Sequence, residues 1–459
     1  MTLPLPLPES SPTASPAASG MNSSVGTQPP GPRRSLGLQE LEQTAFSNNP
    51  TIAQAIDRFE QNRGRAMQAG AYPNPLIIWS APSLGDQGTA GQQQGYFQQP
   101  IVTGGKLRLN RARYEVDVES SRWLVHQERM LVRNGVRMRY LQILAQQQML
   151  GLRADLARLA AGVVRTTRKK VESGHASEPD LLTAENEAAQ VQLESDQLGE
   201  RYVNSWREFA AFLGCPEMPP ALLEGSLSGD LRDLSWEAAL DRLLRESPEL
   251  RVAELQVHRQ ELTLERERRE PIPDLIIRGG SGHDPTNNQT TGYAQVYVEV
   301  PLWDRNRGNI HTAGHGLAEL RRDVGRVRLN LQQRLARDFN HYQTSLRNVR
   351  RYRDEILPRA RRAFDLYLKS FQEEDAGYSR VQSSRSAYMQ VSVKYLEELL
   401  ELRRAEVAIE GLELVEETVE AGTLRPPGSG RLQPPGQGVG HAPAGGGVPV
   451  GRPSRGESP

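Results

Sequence analysis

A mainly α-helical fold with a small β part, built from two copies of one unit, is predicted by three features of the sequence. Paired markers recur at one fixed spacing. Two very long helical stretches carry apolar residues in steps of three and four. Short segments alternate apolar and polar residues just before each long stretch begins.

The repeat is read from proline markers. Ser47-Asn-Asn-Pro50 and Arg245-Glu-Ser-Pro248 each open an apolar-periodic stretch, and Pro248 lies 198 residues after Pro50. Pro73-Asn-Pro75 introduces Leu76-Ile-Ile-Trp79, and Pro271-Ile-Pro273 introduces Leu275-Ile-Ile277; Pro271 again follows Pro73 by 198 residues. Two independent markers sharing one spacing define an internal repeat. Gly95-Tyr-Phe-Gln-Gln-Pro-Ile101 then has its partner in the segment from Gly292 to Leu302. Each is followed by a glycine-bearing polar turn, Gly104-Gly-Lys106 or Asp304-Arg-Asn-Arg-Gly308. Each half therefore reads helix, strand, strand, long helix, turn, helix. The expected organisation is a disordered Pro/Ser/Gly-rich terminus over 1–35, a first repeat over 36–214, a linker over 215–234, a second repeat over 235–421 and a disordered Gly/Pro-rich tail over 422–459.

The long stretches follow the turns. Gln, Glu, Leu, Arg and Ala, all good helix formers, fill them. Leu320, Val324, Val327, Leu331, Leu335, Phe339, Tyr342, Leu346 and Val349 step by four or three, a coiled-coil seam with one stutter. A helix of roughly 67 residues is a rod on the order of 100 Å long. Pro358 lies within the second rod and is expected to kink or interrupt it.

The strands point to an oligomer. Ala294, Val296, Val298 and Val300 alternate with Tyr293, Gln295, Tyr297 and Glu299, giving one apolar and one mostly polar face. A barrel wall between lipid and a wet lumen needs that pattern. Four strands per chain cannot close a transmembrane barrel, and open edges are not tolerated in lipid. Three chains give twelve strands. Two soluble hairpins capping a coiled coil would show the same alternation, and this pattern by itself leaves both readings open.

Composition narrows the function classes. Lys+Arg and Asp+Glu are both 56, so net charge is zero and a dedicated nucleic-acid binder is disfavoured. The single cysteine, Cys215, rules out a disulfide framework within the chain and reads as a small residue after a helix end. No stretch approaches the roughly 18 apolar residues of a membrane-spanning helix. Met1 to Arg34 shows no charged n-region, no apolar h-region and no cysteine, so no signal peptide is recognisable there.

Several constellations resemble sites without completing one. His311 and His315 stand four apart on one helix face, a spacing that can hold a metal, but no third ligand is evident. Gly279-Gly-Ser-Gly282 and Gly104-Gly-Lys106 lack the phosphate-loop spacing and are read as turns. The arginines at 347, 350, 351, 353, 359, 361 and 362 are read as a solvated helix face. No nucleophile–base set or carboxylate pair recurs at a catalytic spacing. The expectation is no enzyme, no cofactor and no resident metal.

With these residues in view, the chain resembles the TolC family of outer-membrane factors, and within it the branch serving heavy-metal and cation efflux. The resemblance covers about Leu36 to Leu414. It rests on the Pro-Asn-Pro and Pro-Ile-Pro-Asp openings, on Gln98 to Lys106, on Val300 to Gly308, and on Phe212-Leu-Gly-Cys-Pro at the end of the first half. It implies a homotrimer with a twelve-stranded β-barrel in the outer membrane and a long coiled-coil α-barrel in the periplasm. It further implies a passive duct for metal cations or small toxic compounds, served by a periplasmic adaptor and an inner-membrane pump of the proton-driven RND type. The adaptor-facing tip would lie at the inner ends of the helical hairpins. The first repeat keeps the family pattern there, with Gly174, Asp180, Leu181 and Leu182. The second departs from it: Glu374 stands at the expected glycine, and Val381 lies in Arg380-Val-Gln382 where the acidic-Leu-Leu is expected. A soluble coiled-coil scaffold and an outer-membrane duct for type I protein secretion are the competing readings.

Overall fold

The computed structural model describes residues 35–82, 88, 91–285, 288–373 and 378–415. The segments expected to be disordered lie outside the described residues, except Ser35, which already belongs to a strand. Chain order is β1 (Ser35–Leu36), α1 (Leu38–Asn48), α2 (Pro50–Ala69), β2 (Leu76–Ser80), β3 (Gln93–Ile101), α3 (Lys106–Glu172), α4 (Glu178–Phe212) and β4 (Leu222–Leu223). The second half runs α5 (Trp236–Glu246), α6 (Pro248–Arg269), β5 (Leu275–Asp284), β6 (Gln289–Val298), α7 (Arg307–Arg351), a π-helical turn (Tyr352–Ile356), α8 (Leu357–Gln372) and α9 (Tyr378–Glu410).

The proline markers act as helix starts. Pro50 and Pro248 each occupy the first turn, where a missing N–H costs nothing. Asn49 caps the first by accepting from the Thr51 N–H at 2.9 Å. The second rod continues through Pro358 because the turn before it widens. The Leu357 N–H reaches back five residues to the Tyr352 carbonyl, which relieves the clash a proline ring makes with the carbonyl four residues earlier.

β2, β3, β5 and β6 form one antiparallel sheet in that order. The helices below repeat the order: α2 packs on α3, α3 on α6, and α6 on α7. The wall is thus one sheet above and one layer of helices below, with β2 and α2 at one free edge and β6 and α7 at the other. The two layers are tied at their junction. The buried Lys106 reaches Asp274 at 2.8 Å and the Ile272 carbonyl at 3.0 Å, and Asp274 also accepts the Thr103 N–H at 2.8 Å. The Gly-Gly-Lys and Pro-Ile-Pro-Asp motifs therefore join the first repeat to the second across the base of the barrel.

Register separates the two sheet faces. Phe97 pairs with Gly279 and that with Ala294; Gln99 pairs with Ile277 and that with Val296. With Ile77 and Trp79 they form an apolar face, on which Ile77 is 90% and Val296 65% exposed. The other face carries Tyr96, Gln98, Arg278, Tyr293, Gln295 and Tyr297. The strand ends at Val298, so Val300, read as strand, lies beyond it. The glycines from 279 to 282 sit inside β5 and not in a turn. A Cβ on Gly280 would come within 2.5 Å of the Tyr96 Cβ, so β3 lies this close to β5 here only because the residue is glycine.

The main core lies midway down the rods, where α1, α5, the end of α4 and the end of α9 thicken the wall. Trp206 and Phe209 are fully buried there and meet edge to face at 6.1 Å. The stretch read as a linker packs into this region: β4 pairs in parallel with β1, and Leu223 and Leu227 are buried. Tyrosine hydroxyls pin it to the rods, Tyr140 on the Glu224 carbonyl and Tyr342 on the Arg232 carbonyl. Of the predicted seam on α7, Leu331 to Val349 is buried, whereas Leu320, Val324 and Val327 are only half-buried. Val324 and Val327 pack at the margin of the main core, and Leu320 lies above it, where the wall is a single layer with fewer neighbours to cover it.

Candidate functional site

The end of the helical rods farthest from the sheet is the candidate docking tip. α3 stops there in a left-handed glycine turn: Gly174 has φ 76°, its N–H reaches the Val171 carbonyl at 3.0 Å, and the His175 N–H reaches the Lys170 carbonyl at 2.7 Å. α4 restarts at once. The Asp180 carboxylate accepts the Ser177 hydroxyl at 2.6 Å and the Ser177 N–H at 3.1 Å. The hydroxyl bond first, and the backbone bond second, hold the Asp180 carboxyl below its ordinary range, so it stays anionic at the positive end of α4.

The predicted tip residues are placed differently from one another. Gly174 is exposed in the turn, Asp180 and Leu181 are half-buried, and Leu182 is 54% exposed. Val381 is 1% exposed; it packs with Val163, Ala184, Phe364 and Phe371 in a small core between the two hairpins. Glu374 lies outside the described residues. The tip thus brings Val381 together with the first hairpin, and leaves Leu182 facing outward.

Sequence reading missed the polar contacts that join the hairpins. Lys170 sits over the Phe371 ring at 4.3 Å and donates to the Phe371 carbonyl at 2.7 Å. Arg385, 8% exposed, pairs with Glu187 at 2.5 Å, and Gln382 donates to the same carboxylate. Glu187 lies about two turns beyond Asp180. The only sequence signal was an acid and a base at matching positions of the two return helices.

The second candidate surface is the polar sheet face. The Arg278 guanidinium lies 4.7 Å over Tyr96 and 4.8 Å over Tyr297, and donates to Gln98 at 2.7 Å. These residues make a polar, aromatic wall opposite an apolar outer surface. Other candidate features resolve simply. The arginine run of the second rod is mostly solvated and partly paired, locally as in Arg353 with Asp354 and across the chain as in Arg350 with Asp233, both at 2.8 Å. No group of three or more metal-ligating side chains occurs among the described residues, and none of their helices is long and apolar enough to cross a membrane.

Comparison with known proteins places this architecture. Residues 41–215 and 239–412 each match the outer membrane efflux protein family. Among curated relatives, the cobalt-zinc-cadmium resistance protein CzcC of Cupriavidus metallidurans is 24% identical over 374 residues, covering 80% of this chain and 87% of that protein. The nickel-cobalt-cadmium resistance protein NccC of Alcaligenes xylosoxydans is 25% identical, covering 64% and 68%. The fold matches the solved structures of CusC, with TM-score 0.70 at 14% identity over 82% of this chain and 91% of that one, and of VceC from Vibrio cholerae, with TM-score 0.67 at 15% identity over 82% and 96%. Two matched repeats, a sheet with one apolar face and rods ending in glycine-turned hairpins agree with one another: the chain belongs to the outer membrane efflux protein family.

Proposed function

We propose that this outer membrane efflux channel is one protomer of a homotrimeric duct in a tripartite system, and that its cargo is divalent metal cations. The observation that carries the trimer is the open wall: four strands and four helices in one matching order, with free edges on both sides. A lipid-facing sheet must close, and three copies give twelve strands, above the roughly eight that a closed transmembrane barrel requires. The outer face, with Ile77 and Trp79 widely exposed, is costly in water and favourable in a bilayer. It weighs against a soluble scaffold. The metal assignment is supported by the relatives, which are named for resistance to cobalt, zinc, cadmium and nickel. It favours an efflux duct over one for protein secretion.

The chain's own part is passive. It supplies a continuous polar wall and a tip that a periplasmic adaptor engages, with energy from a proton-driven RND pump in the inner membrane. The adaptor surface comprises Gly174, Asp180, Leu181 and Leu182, and the buried Val381 supports it from the core between the two hairpins. Deletion of the gene, followed by complementation, tests the cargo: tolerance to zinc, cobalt or cadmium should fall and be restored. Unchanged tolerance to all three, with the protein present in the outer membrane, would overturn the metal assignment.

A further inference from the structure

The two imidazoles of His311 and His315 are in contact, with ring centroids 4.4 Å apart, and both are exposed. Their direction is set by the helix. Ala313 and Leu317 are buried on α7, and the Gln260 side chain of α6 donates to the Ala313 carbonyl at 3.1 Å. Positions two residues either side of Ala313 lie about 160° round the helix from it. The histidine pair therefore points directly away from α6, along the free edge of the wall.

The repeat shows what that edge meets. Within one chain, the first repeat joins the second through α3 against α6, with Arg259 and Asp117 2.7 Å apart. A closed ring of such chains repeats this junction between copies, as α7 against the α2 of the next protomer. α6 begins 198 residues after α2, and α7 begins 201 after α3. The same register therefore sets Ala318 against Gln61 of the neighbour. Since the helices are antiparallel, His315 falls opposite Gly64, His311 opposite Gln68, and Arg322 opposite Asp57. Two independent features fit this register. Arg322 and Asp57 are both exposed, form no ion pair within the chain among the described residues, and carry opposite charge. Gly64 has open space where a Cβ would stand, leaving room for two imidazoles.

We propose that His311 and His315 form a site for a borderline divalent metal ion, such as Zn(II) or Ni(II), in the seam between protomers, with Gln68 of the neighbouring copy and water completing the shell. This rests on the trimeric assembly proposed above. Imidazoles four apart on a helix present two nitrogen donors to one ion, and nitrogen donors favour these metals over Mg(II). An ion held there bridges two chains, so it stabilises the assembled form by mass action.

The test uses untagged, detergent-solubilised protein at neutral pH, with its mass measured first. Titration with ZnCl2 and NiCl2, and MgCl2 as control, should show three saturable sites per trimer and a rise of several degrees in the temperature at which the trimer dissociates. His311→Ala and His315→Ala should each remove both effects while leaving the metal-free trimer intact. In a Cys215→Ser background, Gly64→Cys combined with His315→Cys should give disulfide-linked copies on oxidation. A trimer that takes up no zinc or nickel, or takes it up equally in both alanine variants, overturns the site. Uptake without a change in dissociation temperature places the ion on one chain and overturns the bridge. A wild-type monomer overturns the assembly and this site together.

Discussion

Glu413 shows how a single residue can set a pH dependence. It is fully buried just past α9, at a turn where Leu412 and Glu413 both take left-handed backbone angles. The first repeat uses Gly214 at the corresponding turn, 198 residues before Leu412. Burial, and then the Asp338 carboxyl beside it, push the Glu413 carboxyl up to about 9, so the folded protein holds its proton. The unfolded chain releases that proton above the ordinary value of 4.5. The stabilising contribution is therefore complete below pH 4.5 and is lost as pH rises towards 9. Glu413→Gln should remove this decline. Its urea midpoint should match wild type near pH 5 and exceed it at pH 8, the gap growing by no more than about 1.4 kcal/mol per pH unit. Parallel profiles would show that Glu413 is ionised in the folded protein.

At the scale of elements, β6 and the tip hairpins make opposite demands on a charge. Val296 lies on the apolar face and Gln295 on the polar one, where it accepts from the Tyr297 hydroxyl at 2.6 Å. An arginine facing lipid at mid-bilayer costs roughly 2–4 kcal/mol, and one facing a wet lumen costs little. Val296→Arg should therefore reduce the yield of heat-resistant trimer while Gln295→Arg preserves it; equal yields would reverse the faces. At the tip, Leu182 is exposed and Val381 is buried. Leu182→Asp should leave the trimer's dissociation temperature unchanged and abolish co-purification of the adaptor, because it introduces a charge where docking removes water. Val381→Asp should instead loosen the tip core, read as faster proteolysis near residue 373. Adaptor binding that survives Leu182→Asp would remove that face from the contact.

At the scale of the whole molecule, the one-layer wall explains why so many residues remain half-covered in one chain. Leu320 lies on the upper part of α7, whose far side has no neighbouring helix within the chain among the described residues, and the proposed trimer would place another copy there. Sedimentation or native mass measurement in detergent should give three chains per particle. A folded particle of one chain with a closed barrel would contradict the open-edged sheet.

The sequence by itself determined the repeat, the order of the long helices and of the four long strands, the length of the rods and the alternating faces of the strands. Each is local: prolines start helices at fixed spacing, helix formers fill the rods, and period-two alternation needs only neighbours along the chain. Gly174 and Asp180 were legible at the tip for the same reason, since a left-handed turn and an anionic first turn are short-range chemistry. What only the tertiary structure decided depends on which segments meet. Val381 looks like the counterpart of Leu181 in sequence, yet it is buried because α8 and α9 turn it onto Val163 and Ala184. The glycines at 279 to 282 read as a turn, but they lie within a strand because β3, with Tyr96 paired to Gly280 184 residues later, and β6 hydrogen-bond along them. The Glu187–Arg385 pair and the Lys106–Asp274 junction likewise join distant segments, and no local periodicity encodes a contact between residues so far apart in the chain.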